Sequence, residues 1–482
     1  MVSPAMWLLV LLSFLLTQQS VWPAVLEVTV QPDRVVSVTS DKFVSVTLDT
    51  GIIIGKWEAF NPRSPVAVTL AKALYPAYLR VGGTTADSLI YQVGNSTTAI
   101  ANSTITSADW DELNLFVKEA NLSFIFGLNS LYRPGTAWDP ANAIELMKYS
   151  ADRGYRMDLE LGNEPDIYSS QYNRKVDPQQ LGRDFGTLRQ LMDSMPAFRS
   201  RRLVGPDTTG DSNSFTQSYL QNFMKTGAEH INAMTFHHYY MNGHTAQPQD
   251  FVDPAKLDSF IYDMVSAQKI LRNVSHGTQS FWVGETSTAY GGGAPGISNT
   301  FVAGFMWLDK LGLAAYYGAE VVMRQEFVGG NYGLVDYSDG VYSPNPDYWL
   351  TVLYKNLVGE TVLSTGQTQE KLRVYCHCTS IRSGYGPGSI TFYMMNLYNN
   401  SVGLSFSQFT GIDFHVYVLT SGDNSTLVTR MVNLNGKLLE LISGELPPMP
   451  PAILTSTLVT LPPFSLAFLI VPDAGAAACM EK

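Results

Sequence analysis

The chain has 482 residues, 45% hydrophobic and 15% charged, and a formal net charge of −11. That length exceeds one ordinary hydrophobic core, so a large domain with a smaller companion is expected, and the composition is that of a packed globular protein. The negative balance excludes a nucleic-acid binder that relies on bulk positive charge, and any polyanionic ligand must be met by local features.

Taken in order, Trp7 to Leu16 form an apolar run as long as a secretory h-region and too short to span a bilayer. With the exit at Pro23-Ala24, residues 1–24 read as a signal peptide, although no Lys or Arg precedes the run. No other stretch is apolar for the length of a membrane span, so a secreted, extracellular or lysosomal protein without a transmembrane segment is expected. Asn-x-Ser/Thr sequons at Asn95, Asn102, Asn121, Asn273, Asn399 and Asn424 fit that route. The three cysteines, Cys376, Cys378 and Cys479, predict one bridge and one spare thiol.

Leu26–Val30 and Val35–Thr39 alternate like half-exposed strands. From Phe43 the texture changes to apolar runs separated by helix-length amphipathic segments. The runs are Phe43–Asp49, Ala77–Gly83, Ser123–Asn129, Leu159–Glu164, Leu203–Asp207, Ala233–Tyr240, Phe281–Glu285 and Val321–Phe327. One intervening helix is marked by the stripe Trp110, Leu113, Phe116, Val117 and Ala120, starting near Asp109. Eight strands alternating with helices predict an α/β fold, a (β/α)₈ TIM barrel over residues 43–358. Beyond Val358 the helical period disappears. Lys371–Thr379, Ser389–Leu397, Phe414–Thr420, Thr429–Leu434 and Leu458–Val471 read as strands of an appended β-sandwich, 359–482, which residues 25–42 are expected to join.

Two runs end in a glutamate followed at once by a Pro or a Gly/Ser-rich loop: Leu159-Glu160-Leu161-Gly162-Asn163-Glu164-Pro165 and Phe281-Trp282-Val283-Gly284-Glu285-Thr286-Ser287. Alone, each glutamate could cap a helix or close a loop salt bridge. As the ends of strands four and seven they face each other across a barrel mouth, where two carboxylates are the equipment for glycosidic cleavage. Glu285 is then the expected nucleophile and Glu164 the proton donor. Arg80, on strand two, is expected to orient the nucleophile, with a core salt bridge as the alternative.

Several stretches make the chain resemble the heparanase family: Leu161-Gly162-Asn163-Glu164-Pro165, His237-His238-Tyr239-Tyr240, Ala289-Tyr290-Gly291-Gly292-Gly293-Ala294-Pro295, Ala303–Leu313, Glu320–Gln325 and Pro346-Asp347-Tyr348-Trp349. The resemblance covers nearly all of the chain after residue 24. It implies a secreted, retaining endo-β-glucuronidase with a barrel and a sandwich, and Glu164 and Glu285 in the roles given above. It implies Asn163 at a glucuronate hydroxyl, and Tyr290, Gly291, Gly292, Gly330 and Tyr332 around the sugar carboxylate. It places Asp49, Thr84, His237, Tyr239 and Gln325 along the cleft. Glycine-exposed N–H groups and a phenol suit a carboxylate, although three glycines alone mark only a tight turn. The resemblance further implies a Cys378–Cys479 disulfide. Asp87 runs into Asn102 and Asp109 without the long excised linker of some relatives, so a single uncut chain, monomeric, is expected.

No cofactor or metal is expected. Cys376-His377-Cys378 has one distant cysteine to complete it, and no carboxylate accompanies His237, His238 and His244 at ligand spacing in the sequence. The departures from the family concern charge. Relatives that cut sulfated chains line the cleft with Lys and Arg. Here the matching positions are Ala99-Ile100-Ala101, the loop after Asp207, Ser170 and His244, while Arg199, Arg201 and Arg202 precede strand five and belong at the other barrel end. The expected substrate is a glycosaminoglycan, heparan sulfate by overall resemblance. The basic-poor cleft favours the alternative, hyaluronan, and an inactive glycosaminoglycan-binding relative is a third reading.

Overall fold

The computed structural model describes residues 25–96, 103–210, 214–274, 279–366 and 370–480. All eight runs form strands: β1 (Val44–Asp49), β2 (Tyr78–Gly82), β3 (Ser123–Leu128), β4 (Asp158–Leu161), β5 (Val204–Thr208), β6 (Ala233–His238), β7 (Ser280–Thr286) and β8 (Val321–Arg324). They pair in parallel in the order β4-β3-β2-β1-β8-β7-β6-β5, and a parallel bridge between Leu159 and Leu203 joins the two ends into a barrel. The helix expected near Asp109 spans Ser107–Glu119. It starts two residues earlier than its stripe because Thr106 caps it, in a reciprocal box with Asp109, and it buries Trp110, Leu113, Phe116 and Val117.

Tyr78, Ile125, Val204, Ala233, Trp282, Val321 and Met323 form a separate apolar cluster inside the barrel. Tyr78 and Trp282 pack with ring centroids 5.4 Å apart, and the indole N–H donates to Glu320 at 2.8 Å. The Arg202 guanidinium lies over Trp282 and 3.5 Å from Glu320, which places it at the strand starts, away from the mouth. Above this plug the inward positions turn ionic, at Arg80, Glu160 and Asp207, all fully buried.

Beyond the barrel two larger sheets form, one antiparallel and one mixed, in which Val25–Glu27 runs parallel to Val402–Ser405. Val30–Val38, Val358–Thr365, Leu372–Thr379, Ile390–Asn396, Ser465–Val471 and Phe414–Ser421 run side by side in a nine-stranded sheet, and Val25–Glu27, Val402–Ser405 and Leu458–Leu461 form a three-stranded one. The run expected as one strand over Leu458–Val471 is two strands in different sheets. Pro462 and Pro463 lie between them and supply no N–H to a ladder. The two amino-terminal strands likewise divide between the sheets. The nine-stranded sheet packs on the barrel through Tyr375, whose hydroxyl donates to Asp309 at 2.6 Å. Gly312 on the helix Ala303–Tyr316 is what admits it, since a Cβ there would stand 2.4 Å from the Tyr375 ring.

Cys378 and Cys479 are bonded, with Cα atoms 5.4 Å apart, and Cys376 is a buried free thiol. The bridge closes a loop with a sequence separation of 101, so losing it releases considerable chain entropy in the unfolded state. Replacing both bonded cysteines by Ala is expected to lower unfolding free energy by roughly 2–5 kcal/mol. Cys376→Ala, which keeps the bridge, is expected to cost about 1 kcal/mol. Urea titrations of the two variants check this ordering.

Candidate active site

The site begins with an arginine. Arg80, 1% exposed, comes from β2 and donates Nε to Glu160 at 2.8 Å, Nη1 to Glu285 at 2.7 Å and Nη2 to Asn163 at 2.9 Å, with Asp207 at 3.3 Å. Both roles expected of it, orienting Glu285 and forming a core salt bridge, are therefore present in one side chain. Burial works against the charge on Arg80, but Glu160, Asp207 and Glu285 outweigh it and hold the guanidinium ionised. The carboxylates divide the burden. Burial pushes Glu160 up to about 8, leaving it a proton to share with its neighbour, while Arg80 and His237 overcome burial and hold Asp207 low.

Glu285 reaches the interior through an irregularity in β7. Val283 pairs with Phe236 and Glu285 with His237, so one extra residue, Gly284, is inserted and turns the Glu285 side chain inward. Only glycine fits there, because a Cβ would lie 2.4 Å from Asp207 Oδ1. Once inside, Glu285 Oε2 accepts from Arg80 and Oε1 accepts the Tyr239 hydroxyl at 2.6 Å. Burial raises its pKa, but His237, Arg80 and Tyr239 prevail and keep it below the usual carboxylate value.

Glu164 is delivered differently. β4 ends at Leu161, three residues before the boundary expected from sequence, and the chain turns through Gly162 at φ 88°. A Cβ at Gly162 would meet the Tyr168 hydroxyl at 2.6 Å. Glu164 itself sits in the left-handed region at φ 51°, uncommon for a side chain of this size, and its N–H donates to Asp207 O at 2.7 Å. His237 Nδ1 lies 3.0 Å from Glu164 Oε1 and 3.9 Å from Glu285 Oε1, with Nε2 3.4 Å from Asp207. Burial pulls His237 down, yet Glu285, Asp207 and Glu164 together hold it up at about 10.

One ligand-type atom from each of Glu164, His237 and Glu285 falls within 4.8 Å of the others. The sequence holds no carboxylate at ligand spacing from His237, and it is the fold that brings two beside it. The trio has the character of an ion-pair network, with His237 facing Glu164 at 3.0 Å and Glu285 at 3.9 Å. His377 is likewise engaged, through Gly359 O at 2.7 Å and the Tyr393 hydroxyl at 2.9 Å.

A cavity of about 980 Å³ opens over these groups. Asp49, Thr84, Asn163, Glu164, His237, Tyr239, Glu285, Tyr290, Gly291, Gly292, Gln325 and Tyr332, all named from sequence, line it. Asp49 is partly committed, since its carboxylate accepts Gly51 N–H at 2.6 Å and caps a short helix. Tyr290 is half exposed, and Gly291 and Gly292 follow at φ 78° and 83°, with no acceptor for their N–H groups among the described residues. Gly330 does not line the cavity. It packs beside Tyr332 and Gly292, so it shapes the loop from behind. Sequence reasoning missed Glu160 and Asp207, and also Ser259, Tyr262 and Asp263, which the helix Pro254–Val274 brings over the cleft. Asp207 ends an apolar run that a Thr/Gly/Ser-rich loop follows, the kind of signal that marked the other two carboxylates, whereas nothing local marks the helix residues.

Among the described residues no Lys or Arg lines this cavity. The loop residues 99–101 and 211–213, counted with the cleft in the sequence reading, lie outside the described residues, as does the Asn102 sequon. Asn95, Asn121, Asn273, Asn399 and Asn424 are exposed. No described helix is long and apolar enough to cross a membrane.

A histidine held at about 10, above its ordinary 6.5, contributes stability that is complete below 6.5 and is lost as the pH rises through about 10. His237→Gln is therefore expected to be less stable than the parent at pH 6, with the gap closing towards pH 10. Urea midpoints of both proteins across that range measure it, and a gap that widens with pH contradicts the protonated assignment.

Residues 59–312 match the model of "Glycosyl hydrolase family 79, N-terminal domain". The chain is 37% identical to heparanase of Gallus gallus, over 92% of this chain and 95% of that one. It is 31% identical to hyaluronoglucuronidase of Hirudo nipponia, over 94% and 99%. In three dimensions it is similar to the GH51 arabinofuranosidase of Xanthomonas axonopodis pv. citri, with a TM-score of 0.69 over 92% of this chain and 99% of that one, at 13% identity, which shows a shared fold. The barrel, the paired glutamates at its mouth and these similarities together lead to one conclusion: the chain belongs to glycosyl hydrolase family 79.

Proposed function

We propose that the protein is a retaining endo-β-glucuronidase acting on a glycosaminoglycan, with Glu285 as nucleophile and Glu164 as acid/base. The observation that carries this reading is the approach of Glu164 and Glu285 oxygens to within 4.8 Å, in one cleft, with Arg80 and Tyr239 keeping Glu285 ionised. Carboxyl groups about 5–5.5 Å apart suit double displacement, whereas inversion needs about 6.5–9.5 Å to admit a water. Glu285 attacks the anomeric carbon while Glu164 gives its proton to the departing glycosidic oxygen. A glycosyl ester on Glu285 results. Glu164 then takes a proton from water, which attacks the same carbon, frees the sugar with retained configuration and restores both carboxyl groups. His237, a fixed positive group beside Glu164 and Glu285, offsets the charge that moves between them. The N–H groups of Gly291 and Gly292 with the Tyr332 phenol would hold the glucuronate carboxylate, and Asn163 a ring hydroxyl.

Similarity to the Gallus gallus heparanase supports heparan sulfate as the polymer. One observation favours a second reading, hyaluronan: the described cleft offers no Lys or Arg to a sulfate, and each charge-assisted contact forgone is worth roughly 1.5–3 kcal/mol when desolvated. An inactive binding relative would have little use for an ionised, hydrogen-bonded Glu285. The amino-terminal apolar run and the exposed sequons support a secreted, N-glycosylated protein.

Parallel digests of hyaluronan and heparan sulfate at mildly acidic pH, resolved by size exclusion, are expected to show shortened chains for at least one polymer. Shortening of neither overturns the endo-acting reading. Glu285→Gln is expected to lose about 10⁴-fold or more in turnover. Glu164→Gln should lose about 10²–10⁴-fold on natural chains, and much less on an aryl glucuronide whose leaving group needs no proton. Because Glu164 must start protonated and Glu285 ionised, activity should fall on the alkaline side, and a rate still rising at pH 9 would contradict the assignment.

A further inference from the structure

A second groove, of about 650 Å³, lies directly behind the Glu164 loop. The segment Pro165–Gln171 is the wall between the two cavities. Ile167 and Gln171 face the catalytic cleft, while Pro165, Asp166 and Ser169 face the groove. The rim of that wall, Ser169-Ser170-Gln171, is exposed, small and uncharged, so a flexible polymer can cross it without burying a side-chain charge.

The groove carries the Lys and Arg side chains that the described residues of the cleft lack. Arg133, Arg174 and Lys175 line it, and neither Arg174 nor Lys175 has a carboxylate within 4.0 Å among the described residues, although both are exposed. Arg133 is the more informative. It is 6% exposed and held by Ser130 O at 2.7 Å, Thr136 O at 2.7 Å and Asp184 at 3.1 Å, yet its Nη2 has no hydrogen-bond partner. That nitrogen is sealed from solvent, so Arg133 adds a fixed charge to the groove wall and not a free donor.

The acidic members of the groove are already engaged. Asp166 accepts from Thr209 and Thr216, and Asp177 caps the helix Pro178–Ser194 by accepting Gln180 N–H at 2.9 Å. Arg174 reaches back to the Arg133 carbonyl at 3.3 Å, which ties the basic residues into one patch. Phe215, 64% exposed, offers an aromatic face at the same groove. Such faces pair an apolar surface with the C–H side of a sugar ring.

We propose that this groove is a remote subsite for an anionic sugar, taking the carboxylate or sulfate of a residue several units from the scissile bond. It lies on the side of Glu164, whose loop stands across the mouth from the Tyr332 loop, so the bound units belong to the leaving-group portion of the chain. The inference rests on the endo-glycanase reading above. It explains how a protein of net charge −11, with no Lys or Arg among the described residues of its cleft, can still retain a polyanion. The positive charge is displaced past the wall, where it selects for length and leaves the chemistry at the cleft untouched.

The test compares dissociation constants for octasaccharides of hyaluronan and of heparan sulfate with those for a disaccharide, all on the Glu285→Gln background. Added to that background, Arg174→Ala with Lys175→Ala is expected to weaken octasaccharide binding about tenfold relative to disaccharide binding. It should also flatten the salt dependence of the octasaccharide. Lys175→Glu alone, at an exposed position, should act in the same direction and guards against damage to the Arg133 loop. Weakening for both polymers assigns the groove to carboxylates, and weakening for the sulfated one alone assigns it to sulfates. Unchanged octasaccharide affinity in both variants overturns the proposal. If the parent protein shortens no polymer yet the octasaccharide effect appears, the catalytic reading fails and the groove stands.

Discussion

Everything at the barrel mouth depends on one buried guanidinium. Arg80 is the point where Glu160, Asp207, Asn163 and Glu285 meet, and it is the reason that so many acidic groups can share a desolvated space. An isolated carboxylate in such surroundings would take up a proton. With Arg80 and the imidazolium of His237 supplying positive charge, and Glu160 retaining its own proton, Asp207 and Glu285 stay ionised. Removing the arginine would leave an uncompensated acidic cluster, so it serves as a device of function at least as much as of stability.

The barrel provides what this network needs. The Tyr78–Trp282 plug closes the lower interior to solvent, which raises the strength of every interaction above it. The strand ends then carry the exceptions to regular geometry. Gly284 adds a residue to β7, Glu164 and Asp207 adopt left-handed backbone at φ 51° and 55°, and Gly162 turns sharply beneath the Tyr168 hydroxyl. Such departures persist only where the surroundings over-determine them, and here they aim the two glutamates at one another. Lys310, buried under the same loops, ties the ends of β6 and β7 together by donating to His238 O at 3.5 Å on β6 and to Thr286 Oγ1 at 2.6 Å and Ser287 O at 2.7 Å at the end of β7.

Charge is distributed unevenly around the site. The described residues of the cleft supply carboxylates, hydroxyls, amides and two histidines but no Lys or Arg, while Arg133, Arg174 and Lys175 sit behind the Glu164 wall. A polyanion drawn to the second groove would be oriented across the first without adding a cation to the Arg80 and His237 that already face Glu285. That separation is invisible in net charge, and it is invisible in a linear scan of basic residues. Arg174 and Lys175 lie ten and eleven positions after Glu164 and look like ordinary surface residues there.

The eight barrel strands were legible in the sequence because buried parallel strands announce themselves as short apolar runs, each fixed by local chemistry. Glu164 and Glu285 were legible for the same reason: a carboxylate at the end of such a run has only the barrel mouth to enter. The residues of the cleft beyond them came from resemblance to a family, as did the Cys378–Cys479 pairing, which three cysteines alone left open. Only the tertiary structure decided the rest. Glu160 reads locally as one more strand position, and its place beside Arg80 exists only once β4 and β2 face the same interior. The inward turn of Glu285 requires a register shift against β6, and Tyr262 enters the cleft from a helix whose own period explains nothing about it. The division at Pro462-Pro463 was written in the chain, but which sheet each half joins was not. Strand identity is a property of neighbouring residues, whereas ion-pair partners, register and shared walls are set by closure of the barrel, which joins residues far apart in sequence.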